Sequence, residues 1–441
     1  MSEPLGVSLV GCGTVGGGVA KILLDHADRL AQRAGRAIAL RHVVVRDVEK
    51  PRPVALPAKF VTTDSAAALR DPGTHVVCEL VGGTTTARRI VLDALAAGKH
   101  VVTANKALLA EHGTEIFAAA RSANRAVGFE AAVAGGVPIV RALAESLAAN
   151  QVTAIQGILN GTSNFILTAM AERGASYAGA LAEAQRLGYA EADPTLDVDG
   201  SDAAHKLAIL AQIAFGVAAK PHEIERFGID RVDPLDVRFA AELGYTIKLL
   251  AEAWVAALPN GGTKGAVALH VAPVLLRHAD MLAQVRGAFN AVQVVGDVVG
   301  ETLYQGPGAG QMPTASAVVS DLIDLAVGRA QATFAAAKLW SPAGRGFVVE
   351  PSEKVRSRFY LRLLVKDQPG SLADVCRVLA DEAISISSVI QHEAVEGHPE
   401  QTVPLVIMTH YADTGRFRSA LAKMNALRGV VPPGVYYSVD D

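Results

Sequence analysis

The chain reads as an α/β protein: a doubly wound parallel sheet first, an α+β middle, and a small βαββαβ unit at the C-terminal end. Three observations predict this. Strand-like runs at 5–10, 38–45, 75–80 and 100–103 alternate with Ala/Leu-rich helical stretches, the pattern of βαβ units that share a parallel sheet. From about 130 to 305 the alternation gives way to longer helical patterns at 178–187, 201–215 and 236–257, with fewer clear strands. After a Ser-, Pro- and Gly-rich stretch the signals run strand 359–366, helix 371–382, strands 384–395 and 402–411, helix 414–427 and strand 434–439, a ferredoxin-like order that suggests an independent module.

Length and composition bound the rest. At 441 residues the chain is too long for one core and suggests two to four domains. Half of it is apolar and 19% is charged, ample material for buried cores. A net charge of −3 lacks the basic excess of a nucleic-acid binder. No run of 18 uncharged apolar residues and no basic-then-apolar leader pattern is present, so neither a membrane span nor a signal peptide is expected. Cys12, Cys78 and Cys376 are odd in number and widely spaced, which fits neither a disulfide framework nor a zinc site and points to a reducing cytoplasm.

Gly11, Gly13 and Gly16 match G-x-G-x-x-G between the first strand and a helix expected over about 17–33. Such glycines allow a tight turn and let the backbone approach a pyrophosphate seated on the helix N-terminus, so the first unit is expected to be a Rossmann-like dinucleotide-binding domain. Arg46-Asp47 ends the second strand. The arginine there favours the 2′-phosphate of NADP, and the aspartate keeps NAD open. Lys106, in Thr103-Ala-Asn-Lys106, follows a strand end and opens a helix, where the dipole disfavours a cation. A role in the ligand cleft would explain that placement. Gly306-Pro-Gly-Ala-Gly310 opens a further helix, about 314–327, that can return to the first unit.

The densest signal lies between Leu187 and Lys206. Glu191, Asp193, Asp197, Asp199 and Asp202 crowd together, and Lys206 then begins an almost wholly apolar helix. Asp202 and Lys206 are four apart and share a helix face. An EF-hand fails, because position 12 of the loop would be Lys206 instead of a glutamate. Asp197 and Asp199 read as loop and helix cap. Lys206 does not, since a lysine against an apolar helix is costly unless it is paired and used. It is a candidate acid/base with Asp202 as partner, and Glu191 and Asp202 suit a substrate ammonium. Asn160-Gly-Thr-Ser-Asn164 is either a turn capped by Thr162 or Ser163, leading into a helix at 165–173, or a receiver for a substrate carboxylate. Glu130 to Pro138 is either a bend or a loop whose carbonyls cage a hard cation. No cysteine is placed to attack a cleft-bound aldehyde, which favours alcohol/aldehyde chemistry without an acyl-enzyme.

These residues resemble the homoserine dehydrogenase family, in its longer bacterial form with a C-terminal ACT domain. The resemblance spans nearly the whole chain. It is carried by Gly11 to Gly16, Val101 to Lys106, Asn160 to Asn164, Gly188-Tyr-Ala-Glu-Ala-Asp-Pro194, Asp199 to Lys206, and Gly308-Ala-Gly310 with Pro313 to Ser316. It implies NAD(P)-dependent interconversion of L-homoserine and L-aspartate 4-semialdehyde, with Lys206 as acid/base and Glu191, Asp202 and Thr162 at the substrate. Lys106 is implied near nicotinamide and substrate, and Thr14, Val15, Arg46, Gly188 and Gly308 near the cofactor. A structural sodium ion is implied at Glu130, Val133, Gly135 and Val137. Val365 to Ala373 matches the first loop and helix start of an ACT domain, which implies threonine as effector, in a homodimer or homotetramer. The expected division is 1–130 with about 306–340 for the cofactor, 131–305 for substrate binding, catalysis and dimerisation, a linker at 341–357, and the ACT domain at 358–441. The rival readings are another NAD(P)-dependent amino-acid dehydrogenase and a non-catalytic amino-acid sensor.

Overall fold

The first sheet of the computed structural model, which describes residues 3–52, 54–258, 264–341, 346–391 and 402–440, is parallel. Its strands are β1 (Leu5–Val10), β2 (Ile38–Val44), β3 (Val61–Thr62), β4 (Val76–Glu79), β5 (His100–Thr103) and β6 (Val127–Gly128), in the order β3-β2-β1-β4-β5-β6. The winding reverses between β1 and β4, so a crevice opens at their carboxyl ends, where ligands bind in such sheets. All six residues of β1 are buried, which is why it reads as an unbroken apolar run. The expected 17–33 helix is two, Thr14–Asp25 and Ala27–Ala34, broken at His26. Helix Gln311–Val327 lies against the first of these. Gly18 faces Ala315 and Gln311, and Val318, Leu322 and Leu325 join the core of Leu5, Val7, Leu9 and Val19.

The middle of the chain holds more sheet than its sequence suggests. β7 (Val152–Ile158), β9 (Tyr245–Ala257), β10 (Gly265–Arg277), β11 (Phe289–Gly296) and β12 (Gly300–Pro307) line up as β12-β11-β7-β9-β10, with the short β8 (Glu225–Arg226) on β10. The stretch 236–257 is helix Pro234–Glu242 followed by β9, not one helix. Gly244, at φ +86°, ends the helix as only glycine does cheaply. β9 is buried on both faces almost throughout Tyr245–Ala253, and such a run has no period by which to tell strand from buried helix. Helix Ser201–Phe215 is bracketed by Gly200 and Gly216, both at positive φ, and His205 is its one residue that is not buried.

The C-terminal unit, β14 (Arg356–Lys366), helix Ser371–Asp381, β15 (Ile386–Gln391), β16 (Thr402–Thr409), helix Thr414–Asn425 and β18 (Val430–Asp440), has the expected order, with the two-residue β17 (Ala412–Asp413) added. Positions 392–395 of the expected third strand lie outside the described residues. The unit is not independent. β18 pairs in parallel with β10 through Val274–Ser438, Leu275–Val439 and Leu276–Asp440, so one sheet runs β12-β11-β7-β9-β10-β18-β14-β16-β15. Nor is 341–357 a free linker: within it, β13 (Phe347–Val349) pairs with Gly265–Val267 of β10. Residues 342–345 lie outside the described set.

A buried ionic knot ties the C-terminal unit down. Asp236, fully buried on helix Pro234–Glu242, accepts from Arg362 Nε (2.5 Å) and Nη2 (2.9 Å), Tyr360 Oη (2.8 Å) and Tyr437 Oη (3.3 Å). With its carboxylate saturated, the charge is compensated where an unpaired one would be prohibitive. A second tie joins Arg418 Nη2 to Glu225 Oε2 at 2.7 Å.

Candidate active site

The cleft at the carboxyl ends of β1 and β4 has a volume of about 1040 Å³ and is walled on its far side by the middle domain. The three glycines of the turn meet different constraints. Gly11 sits at φ +103°, and a Cβ there would meet Leu80 O at 2.5 Å; at Gly16 it would meet Gly11 O at 2.2 Å. At Gly13 it would meet nothing within 4 Å. The outer two let helix Thr14–Asp25 press onto the strand, and the middle one leaves bare backbone facing open space, the cradle a pyrophosphate needs. Buried Glu79 shapes the neighbouring loop by accepting from Val81 N (2.9 Å), Gly82 N (3.1 Å) and Thr103 Oγ1 (2.7 Å).

Lys206 and Lys106 converge from opposite walls on Asp202. Asp202 Oδ2 accepts from Lys206 Nζ at 2.8 Å, and its Oδ1 lies 2.9 Å from Lys106 Nζ. Lys206 Nζ also donates to the Leu159 carbonyl at 2.5 Å, which leaves one of its three N–H groups uncommitted among the described residues. Asn290 Nδ2 donates to that same carbonyl at 2.8 Å and anchors it. Burial pulls the Lys206 ammonium down from the usual lysine range; Asp202 opposes this and Lys106 adds to it. Burial would raise Asp202, but the two ammonium groups outweigh it and hold the carboxyl well below the usual carboxylate range. Lys106, half-exposed at the head of helix Lys106–Ser122, is raised by Asp202 against its own partial burial. The ion pair offsets the unfavourable helix dipole.

The other predicted residues divide. Thr162 lines the cleft, with its hydroxyl donated to Tyr189 O at 2.7 Å; neither it nor Ser163 caps the helix, which is Gly161–Arg173 with Asn160 as cap. Glu191 is exposed on the rim, and its charge contributes to raising Lys106. Val15, Gly188 and Gly308 line the same cleft. A Cβ on Gly308 would run into the Asn290 amide at 2.0 Å, so that glycine protects the Leu159 anchor. Arg46 is exposed after β2, while the Asp47 carboxylate turns into its own loop to accept from Glu49 N at 2.9 Å. Glu130 is buried, with its oxygens on Val140 N (3.0 Å) and Arg141 N (2.9 Å), and the Val137 carbonyl accepts from Ile139 N. Burial pushes the Glu130 carboxyl up to about 7, against the Arg141 amide and guanidinium. Burial raises the Cys12 and Cys78 thiols, the opposite of an activated nucleophile.

Asp199 is not the helix cap, a position held by Gly200; from one residue further out it accepts from Ser201 N and Oγ, both at 2.8 Å. Asp197 is not a mere loop residue. Its Oδ1 accepts from Asn160 Nδ2 at 2.8 Å, the same nitrogen that donates to Asp202 Oδ2 at 3.0 Å, and burial raises its carboxyl. Asn290 and the Leu159 carbonyl are site members that sequence reasoning missed, as it missed the bridging role of Asn160 within the 160–164 motif. Only Asn160, the first polar residue after the apolar end of β7, carried a signal.

Comparison with known proteins agrees with this architecture. Residues 11–130 match the family model for the homoserine dehydrogenase NAD binding domain, 138–323 the homoserine dehydrogenase model, and 359–429 the ACT domain model. A homoserine dehydrogenase of Neisseria gonorrhoeae is 44% identical over 434 residues, covering 98% of this chain and 97% of that one. The crystal structure of a homoserine dehydrogenase from Thiobacillus denitrificans superposes with a TM-score of 0.90 at 44% identity, covering 100% of this chain and 99% of that one. A hyperthermophilic archaeal homoserine dehydrogenase in complex with NADPH, 26% identical, superposes with a TM-score of 0.58 over 73% of this chain and 97% of that one. A glycine cradle, a lysine pair on one buried carboxylate and a C-terminal ACT unit thus occur together on one chain that matches along its length, and this chain belongs to the homoserine dehydrogenase family.

Proposed function

We propose that Lys206 is the acid/base of the family reaction, protonating the aldehyde oxygen of L-aspartate 4-semialdehyde on reduction and taking that proton back from the hydroxyl of L-homoserine. A bound nicotinamide cofactor supplies the hydride to the carbonyl carbon, so proton and hydride together make the alcohol. The observation that carries this reading is the buried Lys206 ammonium, held by Asp202 and the Leu159 carbonyl with one N–H left over in the cleft. Its lowered proton affinity suits a group that must give up and regain a proton near neutrality. Asp202 fixes that ammonium, and Lys106 steadies Asp202 from the cofactor side. Glu191 on the rim suits the substrate ammonium, and the Thr162 region its carboxylate.

Gly11, Gly13, Thr14, Val15 and Gly16 would cradle the cofactor phosphates, with Gly188 and Gly308 beside it. Exposed Arg46, next to an aspartate already engaged in its own loop, supports NADP over NAD. Buried Glu130, which has no ion-pair partner among the described residues, supports a sodium ion held with the carbonyls of Val133, Gly135 and Val137. Arg418–Glu225 and the Asp236 knot support an ACT domain that reports an effector, threonine, to the catalytic domain. Kinship supports a homodimer or homotetramer, and three free thiols suit the cytoplasm.

One assay tests the reading: NADPH oxidation with aspartate semialdehyde by wild type and Lys206→Ala, with and without threonine. General acid/base help is worth roughly 10²–10⁴-fold, so the variant should lose at least about a hundredfold in kcat, and a loss below about tenfold refutes the role.

A further inference from the structure

We infer that Asn160 is a positioning residue, a rigid amide fork that holds the Asp197 and Asp202 carboxylates side by side and thereby sets the charge around Lys206. This rests on the reading of Lys206 as acid/base. Asn160 is 5% exposed, and its amide cannot turn over. Its Oδ1 accepts from Ser163 N at 2.8 Å, which commits Nδ2 to donation, and Nδ2 reaches both carboxylates. The Asp197 end is fixed independently, because its own carbonyl accepts from Ser163 Oγ at 2.7 Å.

Two carboxylates this close repel, and without donors one of them takes up a proton. Both can stay ionised because each receives an N–H from Asn160 while Asp202 also carries two lysines. The charged and titratable groups facing Lys206 are Asp202 on its own helix, Lys106 across the cleft, Asp197, Asp193 and Glu191 in the acidic loop, and His205 at the cleft edge. Asp197 is the one whose charge is most open to change, being half-buried and, among the described residues, lacking a lysine within ion-pair distance. Loss of the fork removes the largest of the contacts that favour its charged form, raises its proton affinity further and so weakens a negative charge that favours the Lys206 ammonium.

A mere helix cap makes a different prediction, and two substitutions separate the roles. Asp and Ser cap helices about as well as Asn, so Asn160→Asp and Asn160→Ser both retain the bond from Ser163 N. Asn160→Ser should melt close to wild type, whereas Asn160→Asp crowds a third buried carboxylate against two and should melt earlier. Both lose the forked donor, and kcat should fall roughly ten- to a hundredfold if positioning contributes as other supporting contacts do. Asn160→Ser should shift the Lys206 limb of the kcat profile to lower pH, because Asp197 holds a proton more readily without the fork. Asn160→Asp sets a third carboxylate against the other two, so a proton is shared among them and the limb should move less than in Asn160→Ser. A wild-type profile in Asn160→Ser, or a fall in its melting temperature without a shift, overturns the inference. A Lys206→Ala control keeps the two readings apart. Activity surviving there strikes the acid/base role itself, whereas loss there with unmoved Asn160 profiles strikes the fork alone.

Discussion

Alanine at each glycine of the Gly11 to Gly16 turn should separate folding from cofactor binding. Gly11→Ala puts a Cβ 2.5 Å from the Leu80 carbonyl at φ +103°. Backbone strain of that kind costs about 1–3 kcal/mol before the overlap is counted. Gly16→Ala puts a Cβ 2.2 Å from Gly11 O, backbone against backbone, so the helix must lift from the strand. Overpacking of that sort costs typically about 1–3 kcal/mol. Gly13 has φ −82° and open space around the added methyl. There, about 0.4–1 kcal/mol gained by stiffening the unfolded chain is offset by a similar loss, because alanine is a poorer helix N-cap than glycine. Its methyl, however, stands where the pyrophosphate must approach, and a tenfold to hundredfold weaker Kd corresponds to about 1.4–2.8 kcal/mol. Melting by scanning fluorimetry and NADPH fluorescence titration read the two quantities separately. If Gly13→Ala melts as early as Gly16→Ala, or binds NADPH as tightly as wild type, the division of labour among the glycines is refuted.

Two further outcomes follow from buried charge. Asp236→Ala strands Arg362 and two tyrosine hydroxyls, which should cost about 3–5 kcal/mol and split denaturant unfolding into separate transitions for the ACT and catalytic units. Unchanged, single-step unfolding would contradict it. The Glu130 carboxyl is raised from 4.5 to about 7, so the folded state holds that proton more tightly than the unfolded chain does. Its contribution is therefore intact below about pH 4.5 and is lost as pH rises through 7, by about 3 kcal/mol for a shift of that size. Melting curves from pH 5 to 8 should show that decline. Glu130→Gln should lessen it, and sodium, but not choline, should restore stability at the alkaline end.

Much of this was legible in sequence where the signal is local. The Gly11 turn, the alternation of the first sheet and the Asp202–Lys206 spacing each lie within a few residues, and the structure has the strands and the ion pair those patterns imply. β9 was lost because a strand buried on both faces has no alternation, and its alanines and leucines suit a helix equally well. The helix-ending Gly244 was the available clue. Asn160 and Asp197 are 37 positions apart, and their bond exists only after β7 and the acidic loop are folded together. Leu159 contributes a carbonyl, which no side-chain pattern can announce. Asp197 reads as a loop residue for a related reason: a loop aspartate and a site aspartate look identical until the partner arrives from elsewhere.

The outer edge of β10 is finished by three short parallel segments from distant parts of the chain: Phe347–Val349 beside residues 265–267, Glu225–Arg226 beside 270–271, and Ser438 to Asp440 beside 274–276. An open strand edge is a template for another chain, and proteins commonly blunt it with charge, proline or a covering loop. Here it is shingled, and two of the three shingles lie beyond residue 340. The C-terminal unit therefore acts as a selvedge for the catalytic sheet. A chain cut after residue 340 would bare six of the 13 residues of an apolar strand to its neighbours, 265–267 and 274–276. Aggregation of such a fragment would reflect that frayed border, not a failure of the catalytic core to fold.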